Sequence, residues 1–219
     1  MASRPKQAEP RPAPRLYLMT PPVADATAFA APLAAALAAG DVAAVLLRLS
    51  ATDERTQINI AKTLAPVAQA KDVALLLDGH AELVARAGAD GAHLTGMAEF
   101  AAAFDILKPD HIAGVGGLTT RHDAMTAAEQ GADYVMFGEP DAEGVRPAFA
   151  AIEERVAWWA EVFEAPCVAY AAHTEEVAPL VTAGADFIAL GDWIWRDPDN
   201  VAATITDAAQ RLRLPEPTA

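Results

Sequence analysis

Gly88-Ala89-Asp90-Gly91-Ala92-His93-Leu94 reads GADGAHL, and the same design returns as GADYVMF from Gly131 and GADFIAL from Gly184. An Ala-rich helical stretch precedes each copy: AELVARA before Gly88, DAMTAAEQ before Gly131 and EEVAPLVTA before Gly184. A glycine just past a helix supplies the left-handed C′ residue without a Cβ clash. The short apolar run that follows (GAHL, YVMF or FIAL) has the length and flanks of a strand buried on both faces. The repeat therefore marks a joint where a helix ends and a parallel strand begins. A looser fourth copy is AALAAGDVAAVLLRL, with Gly40 as the stop.

Working outward from the joints, the pattern predicts strands over Arg15–Thr20, Ala44–Leu49, Val73–Asp78, Gly91–Leu94, His111–Val115, Tyr134–Phe137, Cys167–Tyr170 and Phe187–Leu190. Helical stretches lie between them. One follows Thr52 or Asp53 as N-cap and buries Ile58, Ile60, Leu64 and Val67; another is capped by Thr119 or Thr120. A third has Pro147 near its first turn and Phe149, Ile152, Val156, Trp159 and Phe163 on one face, and the last spans Asp199–Leu212. Pro32 and Pro66 fall inside helical patterns and predict kinks or later starts. Eight strands alternating with helices over about 200 residues suit a single (β/α)8 TIM barrel of the α/β class, placed at residues 15–213. No G-x-G-x-x-G follows the first strand, which argues against a dinucleotide fold. Joints 43 and 53 residues apart (Gly88, Gly131, Gly184) favour a closed barrel over an open sheet.

Composition narrows the function classes. The chain is 53% hydrophobic and 21% charged, which suits a globule with a sizeable core. No apolar run approaches the roughly 18 residues of a membrane span, so no membrane partner is expected. Cys167 is the only cysteine, which excludes an internal disulfide and points to a reducing, cytoplasmic setting. A formal charge of −14 would repel phosphate backbones, so no nucleic-acid partner is expected. Residues 1–14 are Pro-rich, basic and without apolar period, and read as a disordered tail; 214–219 read as a C-terminal tail.

The joints and strand order resemble those of the thiamine phosphate synthase and thiazole tautomerase superfamily. LYLMT from Leu16 is similar to that family's opening strand, and LLRLS from Leu46 to its second strand, usually Gln-x-Arg-x-Lys. The resemblance implies a transferase of thiamine biosynthesis, joining a hydroxymethylpyrimidine diphosphate to a thiazole phosphate with Mg²⁺ on the diphosphate. Arg48 matches the family's diphosphate-holding arginine, while Leu46 and Ser50 replace its Gln and Lys. The Asn-Asp pair after the third strand becomes Asp78-Gly79, followed by His80, and the Gly-Gln-Glu-Asp after the fourth becomes Thr95, Gly96, Met97 and Ala98. Mg²⁺ takes oxygen ligands, which Met and Ala lack. The phosphate loop after the sixth strand becomes Gly138-Glu139-Pro140-Asp141-Ala142-Glu143, whose carboxylates would repel phosphate. The Gly-Gly after the seventh aligns with Ala171-Ala172, then His173; the Ser after the eighth becomes Asp192, flanked by Trp193 and Trp195.

The candidate ligand-binding set is therefore Arg48, Asp78, His80, Glu139, His173, Asp192 and Trp193, with His93 beside it, all at strand ends expected to share one mouth. Gly116 and Gly117 add a turn whose N–H groups could cradle an anion. One arginine against Glu139, Asp141, Glu143 and Asp192 predicts a negative mouth suited to an amine or cation stacked on Trp193. His/carboxylate mixtures also suit Zn²⁺, but no ligand motif supports it and no metal is assigned. The cofactor stays open, because the family's Mg²⁺ ligands are largely missing. Structural readings stand beside these: an Arg48–Asp78 ion pair across neighbouring strands, a core His93, helix starts at His80 and His173, a solvated Glu139–Glu143 loop, and packing or a homo-oligomer contact at Trp158 and Trp159. Two functions stay open: a diverged synthase-type transferase, and a non-catalytic or re-purposed relative that binds a small ligand, cationic or not, a metal or a protein partner.

Overall fold

The computed structural model describes residues 12–50 and 53–213; most of the expected N-terminal tail, Thr52 and the C-terminal tail lie outside them. The strands are β1 (Arg15–Met19), β2 (Val42–Leu47), β3 (Ala74–Asp78), β4 (Gly91–Thr95), β5 (Ile112–Gly116), β6 (Tyr134–Phe137), β7 (Cys167–Ala171) and β8 (Phe187–Leu190). The helices are α1 (Ala26–Ala38), α2 (Glu54–Gln69), α3 (Val84–Ala87), α4 (Gly96–Leu107), α5 (Arg121–Glu129), α6 (Phe149–Val162), α7 (Val177–Ala183) and α8 (Val201–Arg211). The strands pair in parallel, in sequence order, and β8 returns to β1 to close the barrel.

Helix starts follow side-chain chemistry. Asp25 and Asp53 accept backbone N–H groups of the first turns of α1 and α2, and Thr120 forms a capping box with Asp123 at α5. Pro32 and Pro66 lie inside α1 and α2 without ending them. Pro147 precedes α6 instead of entering its first turn, because Ala148 is the cap.

The repeat has a structural cause beyond the glycine. Gly88, Gly131 and Gly184 all have positive φ, as a helix stop requires. The Asp two residues on is the clasp. Asp90 accepts the Leu75 N–H of β3 at 2.7 Å, Asp133 the Ala113 N–H of β5 at 2.7 Å, and Asp186 the Cys167 N–H of β7 at 2.8 Å. Each aspartate stands just before an even-numbered strand and holds the start of the strand before it. Asp41, in the loose fourth copy, holds β1 through the Arg15 side chain at 2.8 Å. The unit of repetition is thus two strands, four times around the barrel.

Alternation along the strands divides the core. Leu16, Leu18, Val45, Leu47, Leu75 and Leu77 pack outward under the helices. Tyr17, Leu46, Leu76, Tyr134, Met136, Val168 and Tyr170 fill the barrel interior. The Tyr17 and Tyr134 hydroxyls meet at 2.9 Å, and Tyr134 meets His93 Nδ1 at 2.9 Å. Among the described residues Tyr134 is the partner of the buried Tyr17 hydroxyl. Tyr17 therefore donates to Tyr134, Tyr134 donates to Nδ1, and the imidazole carries its hydrogen on Nε2. Burial pushes the His93 pKa down to about 4, so the ring is neutral.

Two outcomes follow from this packing. Asp133→Ala should cost about 1–3 kcal/mol by leaving the Ala113 N–H without its acceptor, lowering Tm by about 2–4 °C per kcal/mol. Asp133→Asn, which keeps an acceptor oxygen, should lose less; equal losses in thermal melts would contradict the clasp. His93 gives a pH dependence. The unfolded chain takes up this proton near the ordinary 6.5, the folded chain only near 4. Stability from this group is therefore complete above 6.5 and declines as pH falls towards 4, by up to about 3 kcal/mol. Melts from about pH 7 to 4.5 should show a steeper Tm loss in the parent than in His93→Gln.

Candidate functional site

Barrel enzymes place their chemistry at the C-terminal ends of the strands, and the expected residues stand at or just past those ends. Inward alternation carries β2 from Ala44 and Leu46 to Arg48, and β3 from Ala74 and Leu76 to Asp78, above the interior packing. The register Leu47↔Leu77 brings Arg48 level with Asp78. The guanidinium lies 3.6 Å from Asp78 and 3.7 Å from Asp192. The ion pair expected across β2 and β3 is present, and Asp192, after β8, closes it from the far side. Asp78 titrates above the usual carboxylate range through burial, an effect that Arg48 opposes.

A second cluster gathers on the other side of the mouth. Glu139 follows β6 and turns one carboxylate oxygen, Oε1, onto the Gly117 N–H; its other oxygen, Oε2, is buried without a hydrogen-bond partner. Gly116 makes room for this arrangement. A Cβ there would stand 2.5 Å from Glu139 Oε1 and 2.7 Å from His93 Nε2. Burial raises the Glu139 pKa, against the pull of the Gly117 N–H. The N–H expected to welcome an external anion is therefore taken by the chain's own carboxylate. A cleft of about 730 Å³ opens here, walled by Leu118, Met136 and Phe137 and reached by Arg48, His93 and Glu139.

Other candidates have local roles. His80 adopts a left-handed backbone and caps nothing with its side chain; it lies 3.4 Å from the Gln57 amide and 3.5 Å from Glu82. His173 is exposed and turns to Glu175 at 3.0 Å. The Trp193 indole N–H donates to the Ala171 carbonyl at 2.9 Å, which fixes the tryptophan on top of the barrel interior. Asp141 accepts the Glu143 and Val145 N–H groups and organises its own loop. Trp159 is fully buried in helix packing, and Trp158 lies under the Arg121 guanidinium.

The expected charge balance needs correction. Arg146 and Arg155 also line the cleft, so Arg48 is not its one arginine. Both are occupied. Arg146 makes a two-oxygen bond to the buried Glu176 and also reaches the Gly138 and Tyr170 carbonyls. Arg155 donates to the Leu118 and Thr119 carbonyls, holding the turn after β5. No local motif joins Arg146 to Glu176; the parallel pairing of β6 with β7 brings the loops after them together.

The Mg²⁺ implied by the resemblance finds a poor donor set. Asp78 is engaged by Arg48, Gly79 adds no ligand, and the first carboxylate after β4 is Glu99, which accepts the Thr95 N–H at 3.0 Å. Among the described residues, no group of three or more His, Cys, Asp or Glu side chains is placed to hold a metal. No helix among them is long and apolar enough to cross a membrane.

Comparison with known proteins agrees with this frame. A family model described as thiamine monophosphate synthase matches residues 16–194. The chain is 44% identical to the thiamine-phosphate synthase of Rhodospirillum centenum over 91% of its own length and 98% of the relative's. It is 41% identical to the thiamine-phosphate synthase of Hyphomonas neptunium, over 90% and 93% of the two chains. The solved thiamine phosphate pyrophosphorylase from Pyrococcus furiosus superposes with a TM-score of 0.74 at 20% identity, covering 90% of this chain and 95% of that one, a likeness of fold. The chain belongs to the thiamine monophosphate synthase family.

Proposed function

We propose that this family member serves thiamine-linked metabolism as a cytoplasmic barrel that binds a small ligand at its mouth, without the magnesium–diphosphate arrangement of the synthase reaction. One observation carries the reading: the Gly117 N–H and Arg48, the two features expected to receive an external anion, both face the chain's own carboxylates. Glu139 occupies the Gly117 N–H, and Asp78 and Asp192 flank Arg48. An incoming diphosphate would have to displace carboxylates while facing their charge. The positions where the family carries metal carboxylates hold Gly79 and Ala98. A metal that neutralises a leaving diphosphate is worth several kcal/mol of transition-state stabilisation, and the donors for it are thin here.

The competing reading is the synthase reaction itself, which the names of the 44% and 41% identical relatives favour. A coupled assay separates the two. With the pyrimidine diphosphate, the thiazole phosphate and Mg²⁺, no thiamine phosphate should form; turnover at about 1 s⁻¹ or faster, an ordinary enzyme rate, would establish the synthase reading. Calorimetry tests the internal carboxylates directly. Inorganic diphosphate should bind the parent weakly, and Glu139→Thr with Asp192→Ser should improve binding about tenfold or more by freeing the Gly117 N–H and Arg48. Tight binding by the parent, or no gain in the double variant, would overturn the assignment.

A further inference from the structure

Glu139 is held in place before any ligand arrives. The Gly117 N–H fixes Oε1, and the missing Cβ of Gly116 leaves space for the carboxyl beside His93. Oε2 is left buried with no hydrogen-bond partner, on a residue that lines the cleft. A buried acceptor without a donor is costly, more so when it carries charge. None of the cleft's arginines donates a hydrogen bond to it: Arg146 is bound to Glu176, Arg48 lies between Asp78 and Asp192, and Arg155, whose charge favours the Glu139 carboxylate through space, directs its N–H groups to the Leu118 and Thr119 carbonyls.

We propose that Glu139 Oε2 is the binding point for an N–H-bearing cation, an amidinium or primary ammonium, carried by the small ligand of the mouth. The proposal rests on the reading of the mouth as a small-ligand site and adds the chemical class of the ligand. A metal ion would need several oxygen or nitrogen donors around it, and one carboxylate oxygen does not supply them. A neutral hydroxyl would satisfy the hydrogen bond but bring no countercharge beyond that of Arg155. An N–H cation satisfies both, as a charge-assisted hydrogen bond, and Leu118, Met136 and Phe137 offer apolar walls to the body of such a ligand.

Calorimetry on the full chain at neutral pH with three isosteric probes tests this. Benzamidinium should bind at least about tenfold more tightly than benzamide, and benzoate most weakly. Glu139→Gln should weaken benzamidinium about tenfold or more and leave benzamide within about twofold. Glu143→Gln removes the same charge from the exposed side of the same loop and should change neither. Circular dichroism melts check that Glu139→Gln folds; if it does not, Glu139→Asp, with its carboxylate drawn back, should show a reduced preference for benzamidinium. Benzoate binding as tightly as benzamidinium, an unchanged benzamidinium affinity in the folded Glu139 variant, equal losses in the Glu139 and Glu143 variants, or no probe binding at millimolar concentration would each overturn the assignment. Diphosphate titration judges the proposed function separately, since diphosphate can be refused whether or not the amidinium is preferred.

Discussion

A carboxylate that reaches back to hold the strand before it is the constraint on which the barrel depends. A parallel strand entering from a helix leaves an N–H group at its start outside the regular ladder, and a buried N–H without an acceptor is costly. Asp90, Asp133 and Asp186 supply that acceptor for β3, β5 and β7, while the glycine two residues earlier ends the helix. One short motif thus stops a helix, starts a strand and fixes its odd-numbered neighbour. Because the bond runs to the preceding strand, the motif recurs at every second joint, and its four copies pair the strands around the circle. The fourth uses Asp41 and the Arg15 side chain to the same end.

Once the register is fixed, alternation decides what the mouth contains. Inward positions alternate with helix-facing ones, so the positions above Leu46 and Leu76 must be Arg48 and Asp78, and they must stand level. Lower down, the interior is filled by two tyrosines joined through their hydroxyls, with His93 closing the chain towards the opening. The barrel floor is therefore packed and neutral, and charge is confined to the rim. There the chain answers its own charges. Arg48 lies between two carboxylates, Arg146 grips Glu176, and Arg155 braces two carbonyls. Glu139 is held through one oxygen and left unanswered at the other.

The joint glycines, the Asp53 and Thr120 caps and most strand bounds were legible because each depends on residues close in sequence. Helix and strand periods are local, and so is the left-handed glycine. The family resemblance was legible for the same reason, since its motifs are joint and strand motifs. The Arg48–Asp78 pair was also within reach, because adjacent parallel strands and a shared inward parity leave little choice of partner. Arg146 and Arg155 were missed. Neither stands at a strand end, and their partners lie 30 and 37 residues away.

The sequence by itself determined the order of elements, the closed parallel barrel and the identity of the residues at the strand ends, because these follow from short-range periodicity and from turn chemistry. Only the tertiary structure decided what those residues do to one another. It turned Glu139 Oε1 onto the Gly117 N–H and buried Oε2, gave His173 and His80 polar neighbours of their own, and added two arginines to the cleft. The physical reason is that burial and pairing are properties of the closed ring. The neighbours of a side chain at the mouth come from strands and loops far apart in the chain, and no local pattern records the distances between them.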